Sequence, residues 1–270
     1  MADTDNEMNA VVRFAEFLAD RAGTVSLSGF RQNHEVKCKD DKSPVTAIDQ
    51  GVETLVRNLV SETFPSHGFL GEEFGSINLD SPDVWVVDPI DGTRSFITGW
   101  PIWGTLVAKL SNNHPELGVI DMPAIGERWV GVRGKSCIFR DAAGSTQICR
   151  ASDCKLLENA RFYTTNILYF EPADKLRIET LLESTAVPRF GGDCYPYGLL
   201  ASGFVDLVVE AKLEPYDYFA LVPVVEGAGG IITDWSGASL TEASDGRVIA
   251  AATAELHQAA LSVLTTPDKV

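Results

Sequence analysis

The chain has 270 residues, 45% of them apolar, with 38 acidic against 22 basic side chains for a formal net charge of -16. Such an apolar share places it among globular chains long enough to bury a sizeable core. The acidity excludes the basic footprint of a nucleic-acid binder, argues against an anionic membrane surface, and would repel a phosphate ester unless the site carries its own cations. No apolar run reaches the length of a membrane span, and the acidic start, Met1-Ala2-Asp3-Thr4-Asp5-Asn6-Glu7, lacks the basic and apolar regions of a signal peptide. The cysteines Cys38, Cys137, Cys149, Cys154 and Cys194 are odd in number, scattered and free of Cys-x-x-Cys spacing. They read as reduced thiols of a cytoplasmic protein.

From about 5 to 23, Met8, Val11, Val12, Phe14, Ala15, Phe17 and Leu18 recur with a helical period, and Gly23 offers a stop. A polar loop over 37–44 holds Asp40, Asp41 and Lys42. A second helix follows Pro44, lined by Ile48, Val52, Leu55, Val56, Leu59 and Val60 and capped by Thr46 or Ser43. Asp49 falls in its first turn, where the bland reading is an aspartate favoured by the macrodipole. Residues 68–73 read as a short strand ending in Glu72 and Glu73. Adjacent side chains on an extended chain point opposite ways, so only one of the pair reaches a shared metal. Glu72 is the candidate; the alternative is two solvated acids at a loop start.

The central stretch is Val84-Trp85-Val86-Val87-Asp88-Pro89-Ile90-Asp91-Gly92-Thr93-Arg94-Ser95-Phe96. Its apolar, β-branched start predicts a buried strand that stops at Asp88-Pro89, because proline cannot donate to a ladder. Asp88 and Asp91 suit a hard dication, and the amides of Gly92 and Thr93, opening a helix, suit a phosphate. The same turn also reads as a mere strand-to-helix connection. Strands are predicted over 101–110, 116–122, 128–132 and 146–149, with a domain boundary near 151–153. The second half alternates: strands over 162–164, 187–190, 207–210, 231–233 and 248–251, and helices over 173–182, 195–202, 218–227 and 253–264, with Pro223 as a kink. Alternation of this kind implies helices packed on a sheet. Trp85, Trp100, Trp103 and Phe96 read as core.

Taken together, Asp49, Glu72, the run Asp88-Pro89-Ile90-Asp91-Gly92-Thr93 and Asp217 resemble the inositol-monophosphatase superfamily of magnesium-dependent, lithium-sensitive phosphatases. Ser43-Pro44-Val45-Thr46-Ala47-Ile48-Asp49 is similar to its first motif and Gly71-Glu72-Glu73 to its second. Tyr216-Asp217 with Glu226-Gly227-Ala228-Gly229-Gly230 is similar to its C-terminal motif, with tyrosine where tryptophan is usual. Arg94-Ser95-Phe96-Ile97-Thr98-Gly99-Trp100-Pro101-Ile102-Trp103-Gly104-Thr105 and Arg189-Phe190-Gly191-Gly192-Asp193-Cys194-Tyr195-Pro196-Tyr197 resemble the histidinol-phosphate phosphatase branch, Pro196 departing from the expected alanine.

The resemblance implies a layered αβαβα sandwich of the sugar-phosphatase type. Residues 1–150 would form an α+β domain with an antiparallel sheet and most metal ligands; residues 151–270 would form an α/β domain supplying Asp217 and the substrate side. It implies two to three magnesium ions, with manganese a possible substitute and lithium an inhibitor. Asp88 would bridge two ions, Glu72 and the Ile90 carbonyl would complete one site, and Asp91 and Asp217 another. Thr93, paired with Asp49, would orient the attacking water, Glu72 would assist catalysis, and the Gly92 and Thr93 amides would hold phosphate. Direct attack of a metal-activated water on histidinol phosphate, in histidine biosynthesis, is the implied reaction. Asp91, Asp193, Glu210 and Arg189 are the candidate contacts for the organic end. Asp193 reads alternatively as an N-cap of the helix at Tyr195, and Arg189 as the partner of a surface acid. The alternatives for the whole chain are an inositol monophosphatase or another small-molecule phosphatase of the superfamily, and a catalytically silent regulatory or binding subunit. The partners implied are a small phosphate ester and a second copy of the chain in a homodimer, with no nucleic acid and no membrane.

Overall fold

A computed structural model describes residues 2–32, 37–38 and 44–266. In chain order the elements are α1 (Ala2–Gly29), β1 (Lys37–Cys38), β2 (Pro44–Val45), α2 (Ala47–Thr63), β3 (Gly68–Gly71), β4 (Gly75–Ile77), β5 (Asp83–Asp91), α3 (Thr93–Ile97), β6 (Gly104–Ser111), β7 (His114–Met122), β8 (Glu127–Val132), β9 (Ile138–Arg140) and β10 (Thr146–Ile148). There follow β11 (Arg161–Thr164), α4 (Pro172–Ser184), β12 (Val187–Phe190), α5 (Tyr195–Ala201), β13 (Leu207–Glu210), α6 (Pro215–Tyr218), α7 (Leu221–Gly227), β14 (Ile231–Asp234), β15 (Val248–Ala251) and α8 (Ala254–Leu264).

An eight-stranded sheet has the order β10-β9-β8-β7-β6-β5-β3-β4, antiparallel except where β3 and β5 run parallel. A five-stranded mixed sheet has the order β12-β11-β13-β15-β14. Period-two alternation explains the layers. On β5, Trp85 and Val87 pack with Ala15, Leu18, Val52 and Val56 of α1 and α2. Val84 and Val86 face the other way, into a core with Tyr197, Leu200, Val224 and Val225 of α5 and α7. The small sheet meets that core through Val208 and Ala250, while Leu207, Val209 and Ile249 pack against Ile178, Leu256 and Ala260 of α4 and α8. The result is an αβαβα sandwich, and a strand buried on both faces is why 84–87 reads as unbroken apolar sequence.

The middle helices sit very close to the large sheet. A Cβ on Gly118 would lie 2.0 Å from the Ala220 carbonyl oxygen, and one on Gly131 2.2 Å from that of Pro223. Glycine at both strand positions is what lets α7, and the end of α6 before it, seat directly on β7 and β8.

Several boundaries differ from the sequence expectation. The first helix runs through Gly23 to Gly29: Gly23 lies against Pro123, and Ala22 and Ser26 on either side stay buried, so the glycine serves contact and not termination. Strand β5 continues through Pro89 to Asp91, because the register against β6 shifts between Asp88 and Asp91 and spares the missing N–H. The helix expected over 218–227 is two, α6 and α7, and Pro223 falls in the first turn of α7, where its absent donor costs nothing. Strands β4 and β9 carry little apolar alternation and were not expected. Trp100 is 46% exposed, unlike Trp85, Trp103 and Phe96, which are core. The two ends of the expected loop over 37–44 are strand instead, β1 and β2 pairing antiparallel; Asp40, Asp41, Lys42 and the cap candidate Ser43 lie outside the described residues.

Candidate active site

Strand β5 delivers two acids to the end of the large sheet. Asp88 is 2% exposed and its Oδ1 accepts the Ile90 amide at 2.9 Å. Asp91 ends the strand. Gly92 then adopts φ +83°, a left-handed conformation that suits glycine, and starts α3. A Cβ there would also lie 2.6 Å from Asp193 Oδ2. The Thr93 hydroxyl donates to the Ile90 carbonyl at 3.2 Å and lies 3.5 Å from Asp49 Oδ1.

Asp49 is fully buried, and its other oxygen accepts the amide and hydroxyl of Thr46 in a capping box at the start of α2. Both readings of Asp49 therefore meet: one oxygen caps the helix while the other faces Thr93. One turn along α2, Glu53 was not anticipated. It is fully buried and accepts the amides of Glu73 at 2.6 Å and Phe74 at 3.1 Å, and Arg57 Nη2 at 2.8 Å. A Cβ on Gly71 would fall 2.3 Å from the Glu53 carboxyl, so glycine before Glu72 admits this anchor. The sequence signal was there: Asp49, Glu53 and Arg57 share one face at i, i+4 spacing.

Asp217 arrives from the other half of the chain on α6, where its Oδ2 accepts the Glu214 amide at 2.7 Å. Carboxylate oxygens of Asp88, Asp91 and Asp217 all lie within 4.8 Å of one another. Glu72 adjoins them, hydrogen-bonded to Asp88 and lining the same cavity as Asp91 and Asp217. Burial first, then repulsion from Glu72, Asp91 and Asp217, pushes the Asp88 carboxyl well above the usual range. Burial and Asp193 push Asp91 up to about 7, and burial and Asp91 push Asp217 up. Acids crowded out of water in this way are where a bound cation is worth most. An all-oxygen donor set of this charge fits magnesium and offers nothing to a soft metal.

The cavity, of about 380 Å³, suits a small ester. It is lined by Thr93, Asp193 and Glu210, the last two expected for the organic end. Glu210 Oε1 accepts the amide and hydroxyl of Thr165 at 2.7 and 2.8 Å, and burial pushes its carboxyl up to about 8. Asp193 holds a left-handed φ of +49° and accepts Ser95 Oγ at 2.7 Å. It does not cap α5: the Cys194 amide donates instead to Asp91 Oδ2 at 2.6 Å. Arg189 does not line the cavity. It sits on β12, an edge strand exposed along its whole length; the cations that do line it, Arg94 and Lys212, were not singled out. Among the described residues no helix is long and apolar enough to cross a membrane.

The family model described as the inositol monophosphatase family matches residues 7–266. The chain is 43% identical to the bifunctional phosphatase IMPL2, chloroplastic, of Arabidopsis thaliana, over 97% of this chain and 77% of that one. It is 35% identical to a histidinol-phosphatase of Chlorobaculum parvum, over 85% and 88% of the two chains. A solved structure of an inositol monophosphatase from Zymomonas mobilis superposes with a TM-score of 0.86 at 39% identity, covering 96% of this chain and 98% of that one.

Proposed function

The chain belongs to the inositol monophosphatase family and is a phosphoric monoester hydrolase, and from that premise we propose that its substrate is histidinol phosphate, cleaved to histidinol and phosphate. The observation that carries the proposal is the pair Asp193 and Glu210, facing the same cavity as the acidic cluster. Histidinol phosphate brings an ammonium and an imidazole, both able to donate to carboxylates, where a polyol offers only hydroxyls. A hydrogen bond to a charged group is worth about 1.5–3 kcal/mol, or roughly one to two decades of selectivity.

Asp88, Asp91, Asp217, Glu72 and the Ile90 carbonyl would hold magnesium. When bound, the cations supply positive charge against the ester and a water of lowered pKa. The chain's own groups do the rest. The first amides of α3, at Gly92 and Thr93, have no partner within their helix and would hold phosphate oxygens. The Thr93 hydroxyl lies within reach of two acceptors, the Ile90 carbonyl, which would help hold a cation, and Asp49 Oδ1, to which it would donate. Thr93 can then orient the attacking water and Asp49 can receive the proton. Glu72, held through the anchored amides of Glu73 and Phe74, would assist from the cavity wall.

Two to three ions per site, manganese as a substitute and lithium as an inhibitor belong to the same proposal. So does the division into domains at 1–150 and 151–270. A homodimer does too, supported by exposed Val187 and Phe190 on the edge strand β12, with sedimentation as its check. A place in histidine biosynthesis follows from the substrate.

The inositol monophosphatase likeness of the Zymomonas mobilis structure favours inositol phosphate as a second reading. Phosphate release from histidinol phosphate and inositol 1-phosphate, with and without magnesium, separates the two. Wild type should prefer histidinol phosphate by at least tenfold, and Asp193→Ala should erase that preference while sparing inositol 1-phosphate. An equal or reversed preference in wild type overturns the substrate and leaves the reaction class intact.

A further inference from the structure

The Ser95 hydroxyl donates to Asp193 Oδ2 at 2.7 Å, across 98 residues of chain. Asp193 lines the active-site cavity, whereas Ser95, 7% exposed, does not. Both ends of this bond are held. Ser95 follows Gly92 by three residues, which puts the two on one face of α3. The carboxylate rests against that face, since a Cβ on Gly92 would lie 2.6 Å from the same Asp193 oxygen. The next residue, Phe96, is buried with Ile90 and Trp103 and anchors the helix.

On the Asp193 side, Gly191, Gly192 and Asp193 take φ of +84°, +109° and +49° in succession. An aspartate is tolerated in the left-handed region because its short carboxylate can bond locally. Here that carboxylate bonds to Ser95 instead, and the Cys194 amide at the start of α5 goes to Asp91. An unfavourable backbone conformation whose side chain is held by a distant hydroxyl, in a cavity wall, marks a group that is placed for use.

We propose that Ser95 is a positioning residue for substrate selection, its hydroxyl setting the Asp193 carboxylate at a fixed distance from the Gly92 and Thr93 amides. This rests on the histidinol phosphate reading above. In that substrate the ammonium sits on the second carbon from the ester oxygen. An acid that reads it must therefore stand close to the turn that holds the phosphate. The first turn of α3 serves both ends: its amides face the phosphate, and its Ser95 hydroxyl places the acid for the amine. Ser95 acts through Asp193 and not on the substrate.

Ser95→Ala removes the hydroxyl and keeps a good helix former. Its KM for histidinol phosphate should rise about fivefold or more, with kcat within about threefold of wild type. As product inhibitors, histidinol should weaken by a similar factor and inorganic phosphate by less than about twofold. In an Asp193→Ala enzyme, adding Ser95→Ala should change the KM by less than about twofold, because the group it places is already gone. A hydroxyl that merely supported the fold would weaken phosphate and histidinol alike and would add its loss to that of Asp193→Ala. Three results overturn the inference: an unchanged KM in Ser95→Ala, an equal weakening of both inhibitors, or a full further loss in the Asp193→Ala background. A wild-type enzyme preferring inositol 1-phosphate overturns the substrate reading and this role with it. A wild-type preference for histidinol phosphate that Ser95→Ala leaves intact overturns this role alone.

Discussion

Replacing Glu53 by glutamine tests how the metal-facing loop is held. Glu53 is fully buried and serves three donors: the amides of Glu73 and Phe74 and the Arg57 guanidinium. Glutamine keeps one acceptor oxygen and turns the other into an NH2 group, which then faces a donor. Removing one side of a buried charged pair costs about 3–5 kcal/mol. For a chain of this size each kcal/mol moves the melting temperature by roughly 2–4 °C, so calorimetry should show a fall of about 10 °C. The same loss loosens the turn directly after Glu72. Groups that support metal ligands typically carry about 10–100-fold of metal affinity, so the magnesium concentration for half-maximal activity should rise at least about tenfold. A variant that melts within 2 °C of wild type and keeps its magnesium requirement would refute the reasoning, because Glu53 would then hold nothing that matters.

Asp88→Asn should abolish both turnover and magnesium binding by calorimetry, since it removes charge from the middle of the cluster. Thr93→Ala should lower kcat by about 10²–10⁴-fold, the usual range for lost proton handling, with little change in KM. Gly118→Ala should cost about 1–3 kcal/mol in chemical denaturation and weaken magnesium binding, because its Cβ would push on Ala220, two residues after Tyr218 of α6. The pH dependence has a definite sign. Asp91 at about 7 and Glu210 at about 8 bind protons in the folded chain that the unfolded chain has already lost above pH 5. Metal-free stability should therefore fall as pH rises from about 5 to 8, and magnesium should raise the melting temperature more at pH 8 than at pH 6. A metal-free melting temperature that rises across that range would contradict the crowding of acids at the site.

What was legible in the sequence was local. The unbroken run 84–87 announced a strand buried on both faces, and the acids and glycine after it announced a turn with chemistry. Thr46 as a cap, and the opening of α3 at Thr93, follow from short-range rules that the fold respects. What failed depended on contacts between distant segments. Asp193 precedes α5 and by position should cap it, but Ser95 holds its carboxylate and Asp91 takes the amide, 103 residues away in the chain. Arg189 stands four residues from Asp193, yet the edge of the small sheet turns it to solvent. Gly23 reads as a stop only until Pro123 is seen beside it. Glu53 was passed over although it shares a helix face with Asp49 and Arg57, because a charged residue in a helical stripe reads as surface unless the backbone it serves is known.

The same contrast explains why the acids tolerate one another. Left alone, Asp88, Asp91 and Asp217 would be among the least stable groups in the fold, buried and mutually repelling. Their positions are enforced by backbone amides that each carboxylate accepts: Ile90 for Asp88, Cys194 for Asp91, Glu214 for Asp217. Each amide belongs to a helix start or a strand bulge, and each of those elements is packed into the central core. Core packing thus pins the carboxylates in a geometry that their own charges oppose. Asp88, Asp91 and Asp217 would therefore hold a cation without rearranging, and its charge would offset their repulsion, which is the physical basis for expecting tight coupling between magnesium binding and stability.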